Sequence, residues 1–301
     1  KTVSEVAIPA GDTKMCLEMT AILHYLSGTK ECCIRMVTED VVPLFVRLSY
    51  MDMEEIKLLC AVTFYNFSLY KPIAAEGLFD ALVQLSRSNE NDRVLFCSRT
   101  FYNLSGYPKG RALLGNHRVV APALADMMRS GCEDAEEIQA RCAVALCNCL
   151  SSFSKKEDLL HLLEAGIVHD LIVITVLRAS RIETKEVLAR ALFNLLTRSD
   201  TRERLTREEF DVSFALVRLS RFQSTELSYV SVRLLYNLSM EGELYANKLL
   251  DMDAIKVLAN KAAKSYAPDE IKFMVAAALQ NISHVHYCRT NMAQSNIVQA
   301  V

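Results

Sequence analysis

The sequence predicts an all-α protein built as a solenoid of three-helix repeats, and three observations predict it. A short string (apolar, any residue, Asn, apolar, Ser or a near substitute) returns at an interval of roughly 40 residues, a period that belongs to stacked helical units. Glycine (9) and proline (6) are scarce in 301 residues, which leaves few turns and short connections. Between successive copies, apolar residues form helical runs separated by tight turns.

The copies read Phe64-Tyr65-Asn66-Phe67-Ser68 and Phe101-Tyr102-Asn103-Leu104-Ser105, then recur around Asn148. They continue as Leu192-Phe193-Asn194-Leu195-Leu196, Leu235-Tyr236-Asn237-Leu238-Ser239 and Leu279-Gln280-Asn281-Ile282-Ser283. An earlier copy, Leu23-His24-Tyr25-Leu26-Ser27, has Tyr in place of Asn. Counted from Tyr25, the intervals are 41, 37, 45, 46, 43 and 44 residues.

The first two helices of each unit follow from a second recurring pattern. Met36-Val37-Thr38-Glu39-Asp40-Val41-Val42-Pro43 leads into Leu44 to Leu48, and Ile73-Ala74-Ala75-Glu76-Gly77-Leu78 leads into Leu82 to Leu85. Leu162 to Val168 leads into Leu171 to Leu177 in the same way. Each predicts a short helix, a tight turn and a second helix, with Pro43 and Pro122 in the first turn of that second helix, where no N–H is needed. The run Leu171-Ile172-Val173-Ile174-Thr175-Val176-Leu177 is β-branched, but its place in the repeat makes it a second helix. The third helix begins at a capping signal: Asp52 with Glu55 three residues on, or Pro268 before Asp269-Glu270. It is long and apolar on several faces, as a helix between neighbours should be.

These boundaries predict an N-terminal segment over 1–12 and a single repeat domain over 13–301. The domain holds a partial repeat at 13–27, six full repeats near 28–68, 69–105, 106–152, 153–198, 199–240 and 241–284, and a partial repeat at 285–301. Lys1 opens the chain and an apolar stretch closes it at Val301, so a piece of a longer protein is expected.

Thirty-four Lys and Arg against 36 Asp and Glu give no global field for nucleic acid or membrane. No run of about 20 uncharged apolar residues is present to cross a bilayer. The ten cysteines (Cys16, Cys32, Cys33, Cys60, Cys97, Cys132, Cys142, Cys147, Cys149, Cys288) sit mostly in apolar helical runs without zinc-site spacing, and are expected to be reduced core residues. Gly106-Tyr107-Pro108-Lys109-Gly110 lacks the spacing of a phosphate loop. His284-x-His286-x-Cys288 has no second ligand pair nearby, and no Ser or Cys nucleophile with an associated histidine can be singled out, the six histidines being scattered over different repeats. Neither catalytic residues nor a metal or cofactor site is expected.

Three helices per unit, a Gly-containing turn and the Ala/Leu-x-Asn-Leu-Ser ending of the third helix resemble the armadillo repeat family, from about residue 13 to about 290. The resemblance implies a right-handed superhelical α-solenoid whose third helices line a concave groove. It also implies that asparagine amides in that groove hydrogen-bond the backbone of an extended peptide. Asn66, Asn103, Asn148, Asn194, Asn237 and Asn281 stand at that position. An amide offers both the donor and the acceptor that a peptide unit requires. The alternative is that each Asn caps or braces the adjacent repeat.

One turn earlier on the same face stand Val62, Arg99, Val144, Arg190, Arg233 and Ala277. Importin-α-like members carry Trp there to take basic signal peptides, and this chain has no Trp. Arg99, Arg190 and Arg233 instead favour acidic segments, as in catenin-like grooves, unless they are simply solvated surface arginines. Tyr65, Tyr102, Phe193 and Tyr236, one residue before the Asn, point about 100° away from it and are expected to pack between repeats.

The function expected is a non-catalytic scaffold or adaptor that holds an extended or helical, acidic protein segment within a larger complex. A cytoplasmic, cytoskeletal or ciliary setting is expected, with the nucleus as an alternative. A karyopherin-like transport adaptor, or the recognition region of a larger enzyme such as a ubiquitin ligase, are the competing readings.

Overall fold

A computed structural model describes residues 13–70, 73, 75–129, 134–150, 170–171, 173–174, 179–197, 212–251, 254–262 and 268–294. Among the described residues there are helices and turns and no strand. They belong to two compact units, Lys1–Ile167 and Val168–Val301.

The first unit opens with α1 (Thr13–Ser27), which carries the Tyr25 copy of the recurring string and so corresponds to a third helix. α2 (Lys30–Thr38), α3 (Val42–Leu48) and α4 (Glu54–Tyr70) form a complete repeat. Pro43 lies in the first turn of α3 as expected, and Asp40 turns the chain before it with φ 60, a conformation its short side chain tolerates. α5 (Leu78–Ser86) and α6 (Asn91–Gly106) follow, then α7 (Pro108–Asn116), α8 (Val120–Arg129) and α9 (Ala135–Leu150).

Two expectations are corrected here. Asp52 does not cap α4, which starts at Glu54; its carboxylate accepts instead from Lys57 Nζ at 3.4 Å. The first helix expected at Ile73 to Gly77 is not formed, since Ile73 and Ala75 are non-helical and Glu76-Gly77 make a turn. Gly77 has φ 74 and leads directly into α5. Replacing a helix by a short link explains why the interval from Asn66 to Asn103 is the shortest of the series.

Third helices lie side by side in the order α1, α4, α6, α9, and second helices in the order α3, α5, α8, with the core between the two rows. Phe45 of α3 meets Phe64 and Phe67 of α4 edge-on, with ring centroids 6.3 and 5.6 Å apart. Such pairs add about 0.5–1.5 kcal/mol each beyond the area they bury. Six residues before the Asn, Cys60, Cys97 and Cys142 occupy the same buried position in three successive repeats. Burial pushes the Cys97 thiol up to about 12 and also raises Cys60 and Cys142, so these are neutral packing groups.

In the second unit, α10 (Ile182–Leu196), α12 (Thr225–Ser239) and α15 (Asp269–Ser283) are the third helices, again adjacent in that order. α11 (Val212–Ser220) and α14 (Ala254–Ala262) are second helices packed on one another. α13 (Glu243–Asp251) and α16 (His286–Gln294) are first helices. Pro268 is the residue just before α15, as expected. Asp170, Leu171, Val173 and Ile174 are helical; Ile172, Thr175, Val176 and Leu177, the segments 1–12 and 295–301, and Cys132 lie outside the described residues.

Candidate protein-binding face

The third helices bring the six asparagines to equivalent places, each half-buried, one per helix on α4, α6, α9, α10, α12 and α15. Four of them make the same bond. The Nδ2 groups of Asn66, Asn103, Asn148 and Asn281 donate to the hydroxyls of Ser27, Ser68, Ser105 and Ser239, at 2.9, 2.9, 3.1 and 3.0 Å. Each acceptor is the serine two residues after the motif position of the preceding repeat. That serine donates its own proton to the carbonyl three residues back, for instance Ser68 Oγ to Tyr65 O at 2.7 Å. The serine oxygen is thereby oriented to accept, and the Asn–Ser bond ties one third helix to the next.

Asn194 and Asn237 differ. Their side chains make no hydrogen bond among the described residues. In the register that supplies the serine elsewhere, the sequence has Leu150 and Leu196, which carry no hydroxyl. The N–H groups and the carbonyl oxygen of these two amides are unbonded among the described residues.

The three arginines are also placed consistently, but none of them simply points into solvent. Arg99 Nε donates to Glu137 Oε1 of the next third helix at 2.9 Å. Its guanidinium lies 5.8 Å from the Tyr65 ring of the preceding helix and 5.3 Å from Phe96 of its own. Arg190 Nη2 donates to Glu226 Oε1 at 2.9 Å. Arg233 lies 5.2 Å from the Phe193 ring of the preceding helix and donates to Tyr229 Oη at 2.8 Å; Tyr229 in turn donates to Glu270 Oε1 at 2.9 Å. Each arginine thus reaches the acid that stands eleven residues before the next asparagine, directly or through a tyrosine.

That acidic position is the element an Asn-centred reading leaves out. It holds Glu55, Asp92, Glu137, Glu183, Glu226 and Glu270, one in each Asn-bearing third helix, and the period is visible in the sequence. In the first turn of a helix a carboxylate is favoured by the dipole, and here it also receives the arginine. Glu137 is further held by Arg141 Nε at 2.8 Å, and its carboxyl is lowered below the ordinary range, first by the Arg99 hydrogen bond. Where Val62 and Val144 replace the arginine, Asp92 and Glu183 have no ion pair among the described residues.

The aromatic residues preceding the Asn pack between repeats, as expected, in three cases. Tyr65 meets Phe96 at 5.5 Å, Tyr102 lies under Arg141 at 5.3 Å, and Phe193 lies under Arg233. Tyr236 shows no such ring contact among the described residues. In the first unit a cavity of ≈ 330 Å³ opens on this face, lined by Leu69, Tyr102, Asn103, Val144 and Asn148 among others. Among the described residues no group of metal-ligating side chains converges: His284 and His286 are exposed, while Cys288 is buried with its thiol towards Asn247 Oδ1.

No protein-family model matches the chain, and no curated protein matches it. Solved structures do. One is a crystal structure of an engineered protein, 20% identical, with a TM-score of 0.67 over 96% of this chain and 70% of that one. Another is a computationally designed armadillo repeat protein for modular peptide recognition, 17% identical, TM-score 0.57, over 88% of this chain and 99% of that one. A third is a designed armadillo repeat protein in complex with the peptide (KR)4, 18% identical, TM-score 0.60, over 80% and 99% of the two chains. The fold is therefore an all-α solenoid of the armadillo-repeat kind.

Proposed function

We propose that the chain is a non-catalytic adaptor whose third-helix face holds an extended or helical segment of a partner protein. The observation that carries this is the pair Asn194 and Asn237, on adjacent third helices of the second unit, with amides that no neighbour satisfies among the described residues. A partially exposed amide with an open donor and acceptor matches the C=O and N–H of a peptide unit without reading its side chain. The solved structures similar to this chain include one designed for modular peptide recognition and one in complex with (KR)4, which agrees with a peptide-binding use of this fold.

For the partner we favour an acidic segment. Arg190 remains 56% exposed in its pair with Glu226, and an exposed ion pair is worth only about 0–1 kcal/mol. Its guanidinium can therefore exchange Glu226 for a partner carboxylate at little cost. Arg233, exposed beside Asn237, is placed to act with it. We place the adaptor in a cytoplasmic assembly of the cytoskeleton or cilium, a setting that rests on the breadth of the armadillo family and the missing Trp ladder of transport members, not on any residue. A second reading, a transport-type adaptor for basic segments, is favoured by Glu55, Asp92 and Glu183, which have no ion pair among the described residues, and by the neighbour bound to (KR)4.

The experiment is fluorescence anisotropy with labelled acidic and (KR)4 peptides of equal length. Tighter binding of the acidic peptide, weakened by Arg190→Glu with Arg233→Glu, supports the first reading. Tighter binding of (KR)4, weakened by Glu183→Lys, replaces it with the second. Binding unaffected by Asn194→Ala with Asn237→Ala rejects this face as the site.

A further inference from the structure

Two departures from the repeat pattern meet at the cavity of the first unit. In α4, α10, α12 and α15 the residue three after the asparagine is Leu69, Thr197, Met240 and His284, each exposed; in α6 it is Gly106. Four residues before the asparagine, where α6, α10 and α12 have Arg99, Arg190 and Arg233, α9 has Val144. Gly106 and Val144 both line the cavity, from adjacent third helices.

The backbone gives no reason for a glycine at 106. It is the last residue of α6, yet its φ is not in the left-handed region that favours glycine at helix ends. A Cβ placed on it would meet nothing within 4 Å. Glycine there lowers helix stability relative to alanine. What it leaves is room: any longer side chain at 106 would enter the cavity, as Leu69 at the same register one repeat earlier forms part of its wall.

The lining decides what that room suits. None of its residues is charged. Arg141, over the Tyr102 ring, is paired with Glu137 at 2.8 Å and is not part of the lining. An ionised group entering would exchange water for walls that hold no counter-charge, which is costly. Leu69 and Val144 supply aliphatic surface, and Tyr102 and Tyr107 supply rings. Asn103 gives its Nδ2 to Ser68, while its Oδ1 has no hydrogen bond among the described residues and can accept one. The ≈ 330 Å³ of the cavity is at the small end of ligand pockets, a size for one side chain.

We propose that this cavity takes one uncharged aromatic side chain of a partner segment, an indole or phenol whose N–H or O–H donates to Asn103 Oδ1. The proposal rests on the reading that the third-helix face holds such a segment, and it adds the residue type that the first unit selects.

Because the chain has no Trp, indole emission reports the probe alone. The probe is acetyl-Gly-Trp-Gly-amide, titrated into the full chain, with its Tyr, Leu, Lys and Glu counterparts as competitors. Trp and Tyr are expected to bind about tenfold tighter than Leu, and Lys and Glu more weakly still. Gly106→Met should weaken the Trp peptide about tenfold or more, as for loss of an anchor pocket, with the urea midpoint unchanged or raised because the new side chain fills open space. Val144→Arg should weaken it too. Asn194→Ala with Asn237→Ala, which tests the peptide-holding reading in the second unit, should leave it unchanged. Binding lost with that pair but not with Gly106→Met would keep that reading and overturn the pocket. Gly106-dependent binding of the Trp peptide, with no binding of acidic or (KR)4 peptides, would keep the pocket and overturn that reading. Leu or Lys competing as well as Tyr, free 3-methylindole binding as tightly as the peptide, or no binding at millimolar probe would each overturn the proposal.

Discussion

In the first unit, every third helix after α1 is fastened to its predecessor by an Asn–Ser bond, and its core contains five buried phenylalanines: Phe45, Phe64, Phe67, Phe79 and Phe101. In the second unit, Asn281 alone among the three asparagines makes that bond, and Tyr245 is the one aromatic side chain in the described core. The same motif occurs in two settings. Where a serine stands two residues past the preceding motif position, the amide bonds to it; where a leucine stands there, the amide has no hydrogen bond among the described residues and is the one we propose for a ligand. One residue type in one register thus ties neighbouring helices at four places and stands unbonded among the described residues at two.

The comparison is broken most severely by attacking the packing of the first unit. Gly110 in α7 lies so close to α6 that an added Cβ would stand 2.1 Å from Leu104 O, a backbone atom that cannot turn away. Gly110→Ala should cost about 3 kcal/mol or more, at the upper end of overpacking changes. Hydrogen exchange should show the loss first in α6 and α7; an unchanged urea midpoint would mean that α7 is free to shift.

A smaller effect separates Arg99 from Arg190. Arg99→Glu sets a carboxylate against Glu137 and removes the cation from two rings, and should destabilise by about 2 kcal/mol. Arg190→Glu, at an exposed pair, should cost below about 1 kcal/mol while weakening an acidic peptide more. Equal losses in denaturant melts would remove the distinction between tie and contact.

The ladder itself predicts about 1 kcal/mol for Asn103→Ala, which deletes a half-buried hydrogen bond to Ser68. The same change at Asn237 should leave stability within about 0.5 kcal/mol and appear in peptide affinity instead. In the other direction, Ser231 has a buried hydroxyl without a hydrogen bond, at the position that Cys60, Cys97 and Cys142 occupy in the first unit. Ser231→Cys should stabilise the second unit by about 1 kcal/mol, since an unsatisfied buried hydroxyl is removed.

The smallest expected effect is on pH. Glu137 has its folded pKa lowered from an ordinary 4.5, so its ties to Arg99 and Arg141 stabilise above that value. They are lost as the pH falls below 4.5 through the lowered folded value, when the carboxylate is protonated. Glu137→Gln should flatten this part of the acid-stability curve; an unchanged curve would assign the loss to other carboxylates.

Much of the candidate face was legible in the sequence. The asparagines, the arginines four residues before them and the aromatic residues beside them are periodic, and periodicity survives any local ambiguity in helix boundaries. The Asp52 cap and the helix at Ile73 to Gly77 did not follow, because a cap depends on where the chain enters the helix. The helix at Ile73 is lost where the shortest repeat leaves too few residues for it. The partner of each arginine was not legible either, even though the acidic row was in plain view.

What the sequence by itself determined is the unit: its length, its three-helix plan, its buried positions and the register of its polar residues. All of these follow from apolar spacing and turn chemistry within some 40 residues. The tertiary structure alone decided which polar groups meet, because Asn66 and Ser27, or Arg99 and Glu137, are 39 and 38 residues apart. Their contact depends on a two-residue offset between packed helices, set by how ridges of side chains interlock and not by any local preference.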